Sequence, residues 1–415
     1  MQKIIIEKPY RFRPPCRGTV WSSLIQRFNL FTRFLRRKEG VVKHEIRHLD
    51  RLQKSLQAGH GVLITPNHCR NADPLVMGWI AKAARCHFYA MASWHLFNQD
   101  WFTSWAIHKM GGFSVYREGI DRQAINMAVD ILDTAERPLV IFPEGAVTRT
   151  NDQLHALQDG VAFIARSAAK RRQRRSPDQK VVVHPVALKY LFEGDLEVAS
   201  GQVLTEIEQR LSWQSQRDLP LMQRLIKVGM ALLTLKELEH FESSQEGSLG
   251  QRMERLIEHL LAPLEEEWLG QSQQGSVIPR VKSLRMKILP AMVRREVAED
   301  ERQRRWKQLA DLYLVQQISC YPPDYLSKFP SRDRILETLQ RFEEDLTDQV
   351  QVRGAFKVVI EIGEAIEVSP KRDRQAEVDP LMHQVETTLQ DMLDELAKES
   401  PLWEQGGPAQ DFPQR

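Results

Sequence analysis

Cysteine is scarce in this chain of 415 residues, which contains only four, with no CxxC pair among them. The sequence therefore predicts neither a disulfide framework nor a zinc site, and a reducing, cytoplasmic setting suits it best. Uncharged apolar runs of the roughly 18 residues that span a bilayer are also missing. The longest apolar window, residues 74–97, is interrupted by charged and histidine side chains, and the N-terminus lacks the pattern of a secretion signal. We therefore expect neither an integral membrane protein nor a secreted one.

Positive charge is concentrated at one end of the chain. The whole sequence carries 58 Lys and Arg against 55 Asp and Glu, a net charge of +3. Residues 1–60 hold 14 basic and 4 acidic side chains, a net charge of +10, so the remainder carries −7. A basic arm on an acidic body indicates an anionic partner surface, either nucleic acid or phospholipid head groups. No recognition helix or RNA-binding motif accompanies the basic clusters of this chain, so we expect no nucleic acid partner, and a nucleic-acid binder built on the arm is the third interpretation.

Within this arm, residues 21–38 have apolar side chains at helical spacing, with several arginines between them. The pattern is typical of a helix in a lipid interface, with its aromatic rings buried and its arginines level with the phosphates. An ordinary amphipathic helix packed on a protein core explains the pattern equally well. The lipid interpretation predicts a protein attached peripherally to the inner face of the cytoplasmic membrane through its basic N-terminal arm.

The hydrophobic pattern changes between about residues 45 and 200. Short apolar runs at 61–65, 139–142 and 181–186 alternate there with helical segments. Continuous apolar strands separated by helices predict a mostly parallel sheet with both faces covered by helices. The predicted fold class is therefore α/β.

From residue 201 to 350 the sequence has the pattern of long, charged, leucine-containing helices, such as residues 221–241 and 251–268. We expect interruptions at Pro279, at Pro290 and at the pair Pro322-Pro323. No internal repeat with a period of about 20 to 50 residues stands out. A strand pattern returns at residues 356–362, and a helix follows the pair Asp379-Pro380. This return predicts that the helical block is a large insertion into the α/β core. The predicted segments are a basic arm at 1–44, the core at 45–200, the helical insertion at 201–350, a closing strand and helix at 351–398, and a flexible tail at 399–415.

The segment from Thr65 to Pro74 carries the clearest chemical signal, because His68 and Asp73 lie five residues apart between a strand and a helix. A histidine can remove a proton near neutral pH, and a carboxylate across a tight turn can hold the imidazole in one tautomer. Two other interpretations stay open from these residue types alone. Asp73 followed by Pro74 also has the pattern of a helix N-cap, and a single histidine is most often structural.

Four sequence blocks in this order resemble the glycerolipid acyltransferase family, of the 1-acylglycerol-3-phosphate acyltransferase type. In chain order they are His68-x4-Asp73, Gly112–Arg117, Phe142–Gly145 and Val183–Leu188. The resemblance covers about residues 45–200 and the closing strand. It implies the acyltransferase α/β fold and an enzyme of phospholipid biosynthesis.

The resemblance implies transfer of a fatty acyl group from an acyl-thioester, either acyl-CoA or acyl carrier protein, to the hydroxyl of a lysophosphatidate- or lysophospholipid-type acceptor. It implies His68 as the general base and Asp73 as the residue that orients it. A thiolate leaves without much help from an acid, so one base suffices and no covalent acyl-enzyme is needed. No metal and no cofactor beyond the thioester donor is expected.

Substrate-binding residues also follow from the resemblance. Arg117 would bind a phosphate of the acceptor through its two-pronged guanidinium, and Glu144 with Gly145 would hold the glycerol part. A surface arginine and a simple Pro-Glu-Gly turn are the alternatives.

One departure from the family concerns the arginine that usually follows the third block at once as Thr-Arg-Ser. Here Ala146 and Val147 come first, so Arg149 arrives two residues late. Either these two residues form a bulge and Arg149 still reaches the site, or the acceptor is not the usual lysophosphatidate. The departure also leaves open a catalytically idle lipid-binding protein whose helical insertion scaffolds a partner.

A second basic cluster, residues 170–175, has two interpretations. Such a run is most often a solvated helix end. It is also suited to contact anionic lipid or the phosphates of coenzyme A.

Overall fold

A computed structural model of the protein describes residues 5–211, 214–321, 324–347, 349–372, 375–376 and 378–403. The chain divides into two compact units. The first unit joins residues 1–191 to 357–399, and the second joins 192–356 to 400–415. The predicted helical insertion, 201–350, lies within the second of these ranges. Most of the predicted flexible tail, residues 404–415, lies outside the described residues.

The first unit is built on a sheet. In the part of the chain that the structure describes, eight strands form it in the order β1-β7-β6-β2-β5-β3-β4, with β8 beside β6. The strands are β1 Val41–Arg47, β2 Gly61–Pro66, β3 Tyr89–Ser93, β4 Gly112–Val115, β5 Leu139–Val140, β6 Val181–Phe192, β7 Phe356–Ile362 and β8 Ile366–Glu367. β2 is parallel to β5 and β6, and β3 is parallel to β4 and β5, whereas β8 is antiparallel to β6. The predicted α/β class with a mostly parallel sheet is therefore confirmed.

Helices cover this sheet. They are α1 Val20–Arg27, α2 Leu30–Phe34, α3 Leu49–Gln57, α4 Asp73–Ala83, α5 Trp101–Lys109, α6 Arg122–Thr134, α7 Gly160–Arg175 and α15 Pro380–Ala397. Side chains of α6, α7 and α15 share one apolar core with β2 to β6. All six residues of β2 are buried, as expected for a parallel strand packed on both faces.

The parallel pairing fixes where the chemistry collects. The carboxyl ends of β2, β5, β3 and β4 meet at one edge of the sheet because these strands run in the same direction. His68 follows the end of β2, Glu144 the end of β5 and Arg117 the end of β4. In open α/β sheets, ligands bind at this edge.

The N-terminal arm differs from the continuous helix predicted over residues 21–38. α1 ends at Arg27, α2 begins at Leu30, and a π-helical turn, Leu35–Glu39, follows. The break lies at Asn29, whose φ of 52° is left-handed, a conformation that asparagine adopts more readily than most residues. The arm therefore bends, and the Phe31 ring packs against Gly78 of α4, where a Cβ atom would lie 2.7 Å from the ring.

The second unit is helical. Its helices are α8 Leu196–Arg210, α9 Leu221–Phe241, α10 Leu249–Leu269, α11 Val277–Val293, α12 Glu299–Ser319, α13 Tyr325–Lys328 and α14 Arg332–Thr347. The predicted interruptions at Pro279 and Pro290 are wrong, because both prolines lie inside α11. The interruption predicted at Pro322-Pro323 lies outside the described residues. Pro279 lies in the first turn, where a backbone N–H has no partner within the helix, so its absence costs little. Pro290 lies in the last turn, so the backbone hydrogen bond that it removes is one of the last in the helix.

A repeated corner, missed in the sequence, joins α8 to α9, α9 to α10 and α10 to α11. At each corner a buried glutamate near the end of one helix accepts a two-pronged ion pair from an arginine of the next helix. The pairs are Glu208–Arg224, Glu237–Arg252 and Glu265–Arg280, with N–O distances between 2.6 and 3.0 Å. Each glutamate also accepts a backbone N–H from a glutamine eight residues later, at 2.9 to 3.0 Å.

The sequence trace of this repeat is weak. Only the second and third copies share a run of letters, Ser-Gln-x-Gly-Ser at residues 244–248 and 272–276. The second and third glutamates are 28 residues apart, and so are their arginines. A period of 28 residues is therefore present in these two copies, but the repeated contacts involve only three residues of each copy.

Candidate active site

The loop after β2 brings His68 and Asp73 together. Nδ1 of His68 lies 2.9 Å from Oδ2 of Asp73. The Asp73 side chain is fully buried, whereas that of His68 is 15% exposed. A carboxylate only accepts hydrogen bonds, so Nδ1 carries the proton and Nε2 is the nitrogen that can take up another. Asp73 is the first residue of α4, and the N-cap is Ala72, so the N-cap interpretation of Asp73 is wrong.

The Asp73 carboxylate is held from two more directions. Oδ2 accepts the backbone N–H of Arg70 at 2.8 Å, and Oδ1 accepts the hydroxyl of Tyr190 at 2.6 Å. Tyr190 is fully buried in β6, and burial, together with the charge of Asp73, raises the pKa of its hydroxyl well above the ordinary value. The hydroxyl therefore stays protonated and keeps donating. Tyr190 was missed in the sequence because 117 residues separate it from Asp73.

Glu144 contacts the main chain of His68. It is 1% exposed, its Oε1 accepts the backbone N–H of His68 at 2.6 Å, and its Oε2 accepts that of His155 at 3.1 Å. Burial raises the pKa of Glu144 to about 8, although the two amide hydrogen bonds act to lower it. Both carboxylate oxygens are thus engaged with backbone, and the side chain fixes where the main chain of His68 lies.

Gly145 makes this loop possible. Its φ is +70°, and a Cβ atom there would lie 1.9 Å from Nε2 of Gln158. Only glycine adopts that backbone conformation with so close a neighbour. Three residues later, Thr148 donates both its N–H and its hydroxyl to the carbonyl oxygen of His68, at 2.9 and 3.2 Å. The loop therefore folds back over the His68 main chain.

Two asparagines, also missed in the sequence, attach the site loops to β6. β2 ends at Pro66, but β6 continues, and the side-chain amide of Asn67 exchanges two hydrogen bonds with the backbone of Leu188. Asn151 does the same with the backbone of Tyr190, at 2.6 and 2.7 Å. Each amide takes the place of a neighbouring strand. The position of Asn67 directly before His68 was a usable signal, whereas Asn151 had none.

Arg117 lies at the same edge of the sheet as His68, but it follows β4 and not β2. β5 and β3 lie between β2 and β4, so about 14 Å separates the strands that precede His68 and Arg117. Arg117 is half-buried, and burial lowers its pKa while the charge of Glu118 opposes this. Burial and the charge of Arg117 together lower the pKa of nearby His95 to about 4. The positive charge of Arg117 thus faces a neutral imidazole.

Arg149 lies on the His68 side of the site and has a left-handed φ of 61°. Burial raises the pKa of Glu39, at the end of the N-terminal arm, while the charges of Arg70 and Arg149 lower it and that of Asp73 raises it. These four side chains therefore share one electrostatic environment. The structure brings Arg149 to the His68–Asp73 end of the edge and Arg117 to the other end.

The basic cluster at residues 170–175 lies at the carboxyl end of α7, which leads into the start of β6 at the opposite edge of the sheet. Arg172 is buried and donates to the carbonyl oxygens of Asp133 and Gly59 and to Gln179. Arg171 pairs with Asp130. These contacts favour the interpretation of the run as a helix end with structural roles.

Two kinds of feature are absent from the described residues. No helix in that part of the chain has both the length and the apolar character to cross a bilayer. No three His, Cys, Asp or Glu side chains among the same residues are grouped so that they could hold a metal ion.

Comparison with known proteins adds two similarities. Residues 44–189 match the model of a protein family described as Acyltransferase. The chain is also similar to a 1-acyl-sn-glycerol-3-phosphate acyltransferase of Streptococcus pneumoniae (strain ATCC BAA-255 / R6), with 32% identity over 110 residues. That alignment covers 26% of this chain and 38% of the relative. The segment matched by the family model contains every substrate-binding and catalytic residue predicted above.

Proposed function

We propose that this protein is an O-acyltransferase of the glycerolipid acyltransferase type, because residues 44–189 match the Acyltransferase family model. It transfers a fatty acyl group from an acyl-thioester to the hydroxyl of a lysophosphatidate- or lysophospholipid-type acceptor. The observation that supports this most strongly is the pairing of His68 with the buried Asp73 at the edge of the sheet where ligands bind.

His68 acts as the general base in this proposal. Its Nε2 takes the proton of the acceptor hydroxyl as the oxygen attacks the thioester carbonyl. The C–S bond breaks, the acyl group remains on the acceptor oxygen, and the proton on His68 passes to the departing thiolate. Asp73 stabilises the imidazolium that forms in between, held in place by Arg70 N–H and the Tyr190 hydroxyl.

Glu144 and Gly145 shape the site rather than touch the acceptor. The resemblance suggested contact with the glycerol, but both Glu144 oxygens are occupied by backbone amides and the side chain is buried. We assign Glu144 the role of a positioning residue, which sets the main chain of His68. Gly145 allows the turn that puts Glu144 there.

Arg117 binds the acceptor phosphate, and Arg149 supplies a second positive charge at the His68 end. An arginine side chain reaches several ångströms from its strand, so Arg117 spans part of the roughly 14 Å between β4 and β2. The half-buried position of Arg117 favours a tight anion contact, because its charge is poorly screened there. Acyl-CoA and acyl carrier protein both remain donor candidates.

The basic arm attaches the protein to the inner face of the membrane. Its exposed cations, Arg27, Arg33, Arg36, Arg37 and Lys38, accompany exposed apolar side chains such as Phe28 and Phe34. A surface of this composition favours an interface with anionic lipid. Attachment there would place the enzyme where lipid acceptors are found.

Purified protein incubated with acyl-CoA or acyl carrier protein donors and a panel of lysophospholipids tests the proposal. We expect transfer with at least one donor–acceptor pair and its near-complete loss in His68→Ala. His383→Ala is the matched control, because His383 is exposed on α15 of the same unit. Transfer with no pair at all would favour the catalytically idle alternative, and full activity of His68→Ala would refute the proposed base.

A further inference from the structure

Helix α5 has an unusual surface. Its sequence, Trp-Phe-Thr-Ser-Trp-Ala-Ile-His-Lys, is rich in aromatic residues, yet all nine of its residues are described and none of them is buried. Trp101 is 79% exposed and Phe102 is 58% exposed. Large apolar side chains left open together in this way mark a contact surface.

The surface continues from α5 onto the N-terminal arm. The rings of Trp101 and Phe102 are 5.9 Å apart, those of Phe102 and Trp105 are 5.9 Å apart, and Trp105 lies 4.9 Å from Trp21 of α1. The Ser22 hydroxyl donates to the carbonyl of Lys109, which joins the two helices. Helices from distant parts of the sequence therefore form one aromatic surface.

Part of this surface lies at the edge of the sheet that carries the candidate active site. α5 begins shortly after the carboxyl end of β3, so Trp101 and Phe102 lie at the same edge of the sheet as His68. Ile120, three residues after Arg117, is 79% exposed at that edge too. We call Trp21, Trp101, Phe102, Trp105 and Ile120 the apolar rim.

Charge indicates what covers the apolar rim. The arm that provides Trp21 also exposes five cations between Arg27 and Lys38. Aromatic rings on the same arm as exposed arginines and lysines match the boundary between acyl chains and anionic phosphates. A protein partner would have to combine an apolar patch with an acidic one, whereas a bilayer offers both along its whole surface.

We propose that the apolar rim docks on a bilayer containing anionic phospholipid, so that the edge carrying His68 and Arg117 faces the lipid. A lysophospholipid then reaches the site from the bilayer without passing through water. The second statement rests on the proposed acyltransferase function, whereas the docking itself does not.

Vesicle flotation of the full chain tests the docking. The probes are phosphatidylcholine vesicles with and without phosphatidylglycerol, and the variant is Trp101→Ala with Phe102→Ala. We expect wild-type protein to float with the anionic vesicles, and the variant to bind them about tenfold more weakly or worse, since two exposed rings are lost. The control is Leu235→Ala with Leu238→Ala, which removes a similarly exposed apolar pair from α9 and should leave binding unchanged. Both double variants change exposed side chains, so their thermal unfolding should match that of wild type.

Three results would overturn the docking proposal: unchanged binding of the Trp101/Phe102 variant, equal weakening by the control, or equal binding to neutral and anionic vesicles. Turnover separates docking from catalysis. The Trp101/Phe102 variant should lose kcat/KM on acceptor embedded in vesicles about as much as it loses binding, and keep it on a short-chain, water-soluble acceptor. If wild type floats but transfers no acyl group, the function proposal fails while the docking stands.

Discussion

Glu144 in the first unit and Glu237 in the second are both almost fully buried, and both accept hydrogen bonds from backbone amides. Their pKa values are nevertheless shifted in opposite directions. Burial raises the pKa of Glu144 to about 8. Burial also opposes ionisation of Glu237, but the two-pronged contact with Arg252 and the Gln245 amide bring its pKa below the ordinary value.

The difference lies in the arginine. A buried carboxylate paired with a guanidinium stays charged and joins two helices, so it has a structural role. Among the described residues, Glu144 has amide partners and no such arginine contact, so burial raises its pKa to about 8, and a shift of this kind is typical of functional sites. The helical unit repeats the glutamate–arginine arrangement at three corners. The candidate active site has a glutamate held by amides, in contact with the main chain of its histidine.

Removal of one corner arginine should have the largest effect on stability. Arg252→Met leaves Glu237 buried and unpaired, so we expect a loss of about 3–5 kcal/mol in the free energy of unfolding. Urea denaturation measures this. Arg255→Met is the matched control, since Arg255 is exposed on the same helix and should change stability by about 0.5 kcal/mol at most. Equal effects of the two substitutions would show that the corners are not held by these ion pairs.

The opposite pKa directions predict opposite pH dependence. Glu144 has a folded pKa above its unfolded value of 4.5, so its contribution to stability is complete below that value, falls as pH rises to about 8 and then levels off. Wild type should therefore lose stability relative to Glu144→Gln between about pH 5 and 9, on the order of a few kcal/mol.

The matching comparison uses Glu237→Gln. Glu237 has a folded pKa below 4.5, so its contribution is present above that value and is lost only as pH falls further. The difference in the free energy of unfolding between wild type and Glu237→Gln should be constant between pH 5 and 9 and should decline only in acid. Urea denaturation at a series of pH values measures both differences, and parallel curves for the two glutamates would contradict this account.

Loss of one hydrogen bond to Asp73 should have the smallest effect. Tyr190→Phe removes the hydroxyl that donates to Oδ1 at 2.6 Å and leaves the two contacts to Oδ2 in place. We expect kcat to fall about tenfold with KM little changed, since a charge-assisted hydrogen bond contributes about 1.5 kcal/mol or more. Tyr89→Phe removes a similar tyrosine–carboxylate bond, to Glu136, and should keep kcat. A raised KM with normal kcat in Tyr190→Phe would argue against the positioning role.

Local and periodic features of the fold could be predicted from the sequence. The predicted strand at 356–362 and the helix over residues 221–241 have the bounds that the structure gives them, because long apolar patterns leave little choice. The break at Asn29 could not be predicted, since nothing in a helical pattern shows that one residue will be left-handed. The prolines of α11 misled because the cost of a proline depends on its position in the helix.

Only those features of the candidate site that join residues close in sequence could be predicted. The pair His68 and Asp73 is local, so its spacing revealed it. Tyr190, Asn151 and the Glu144–His68 contact join residues that are distant in sequence and adjacent only because β2, β5 and β6 are neighbours. The roles of Arg117 and Arg149 in binding substrate, and of Glu144 and Gly145 in shaping the site, stay predictions.

The turnover of Asp73→Asn tests the central claim most directly. Asparagine keeps the size of the side chain but removes the charge that stabilises an imidazolium on His68. We predict a fall in kcat of about a thousandfold with the thermal unfolding midpoint near that of wild type, while Asp391→Asn, at an exposed position on α15, stays fully active. A folded Asp73→Asn protein that transfers acyl groups within threefold of the wild-type rate would contradict the account.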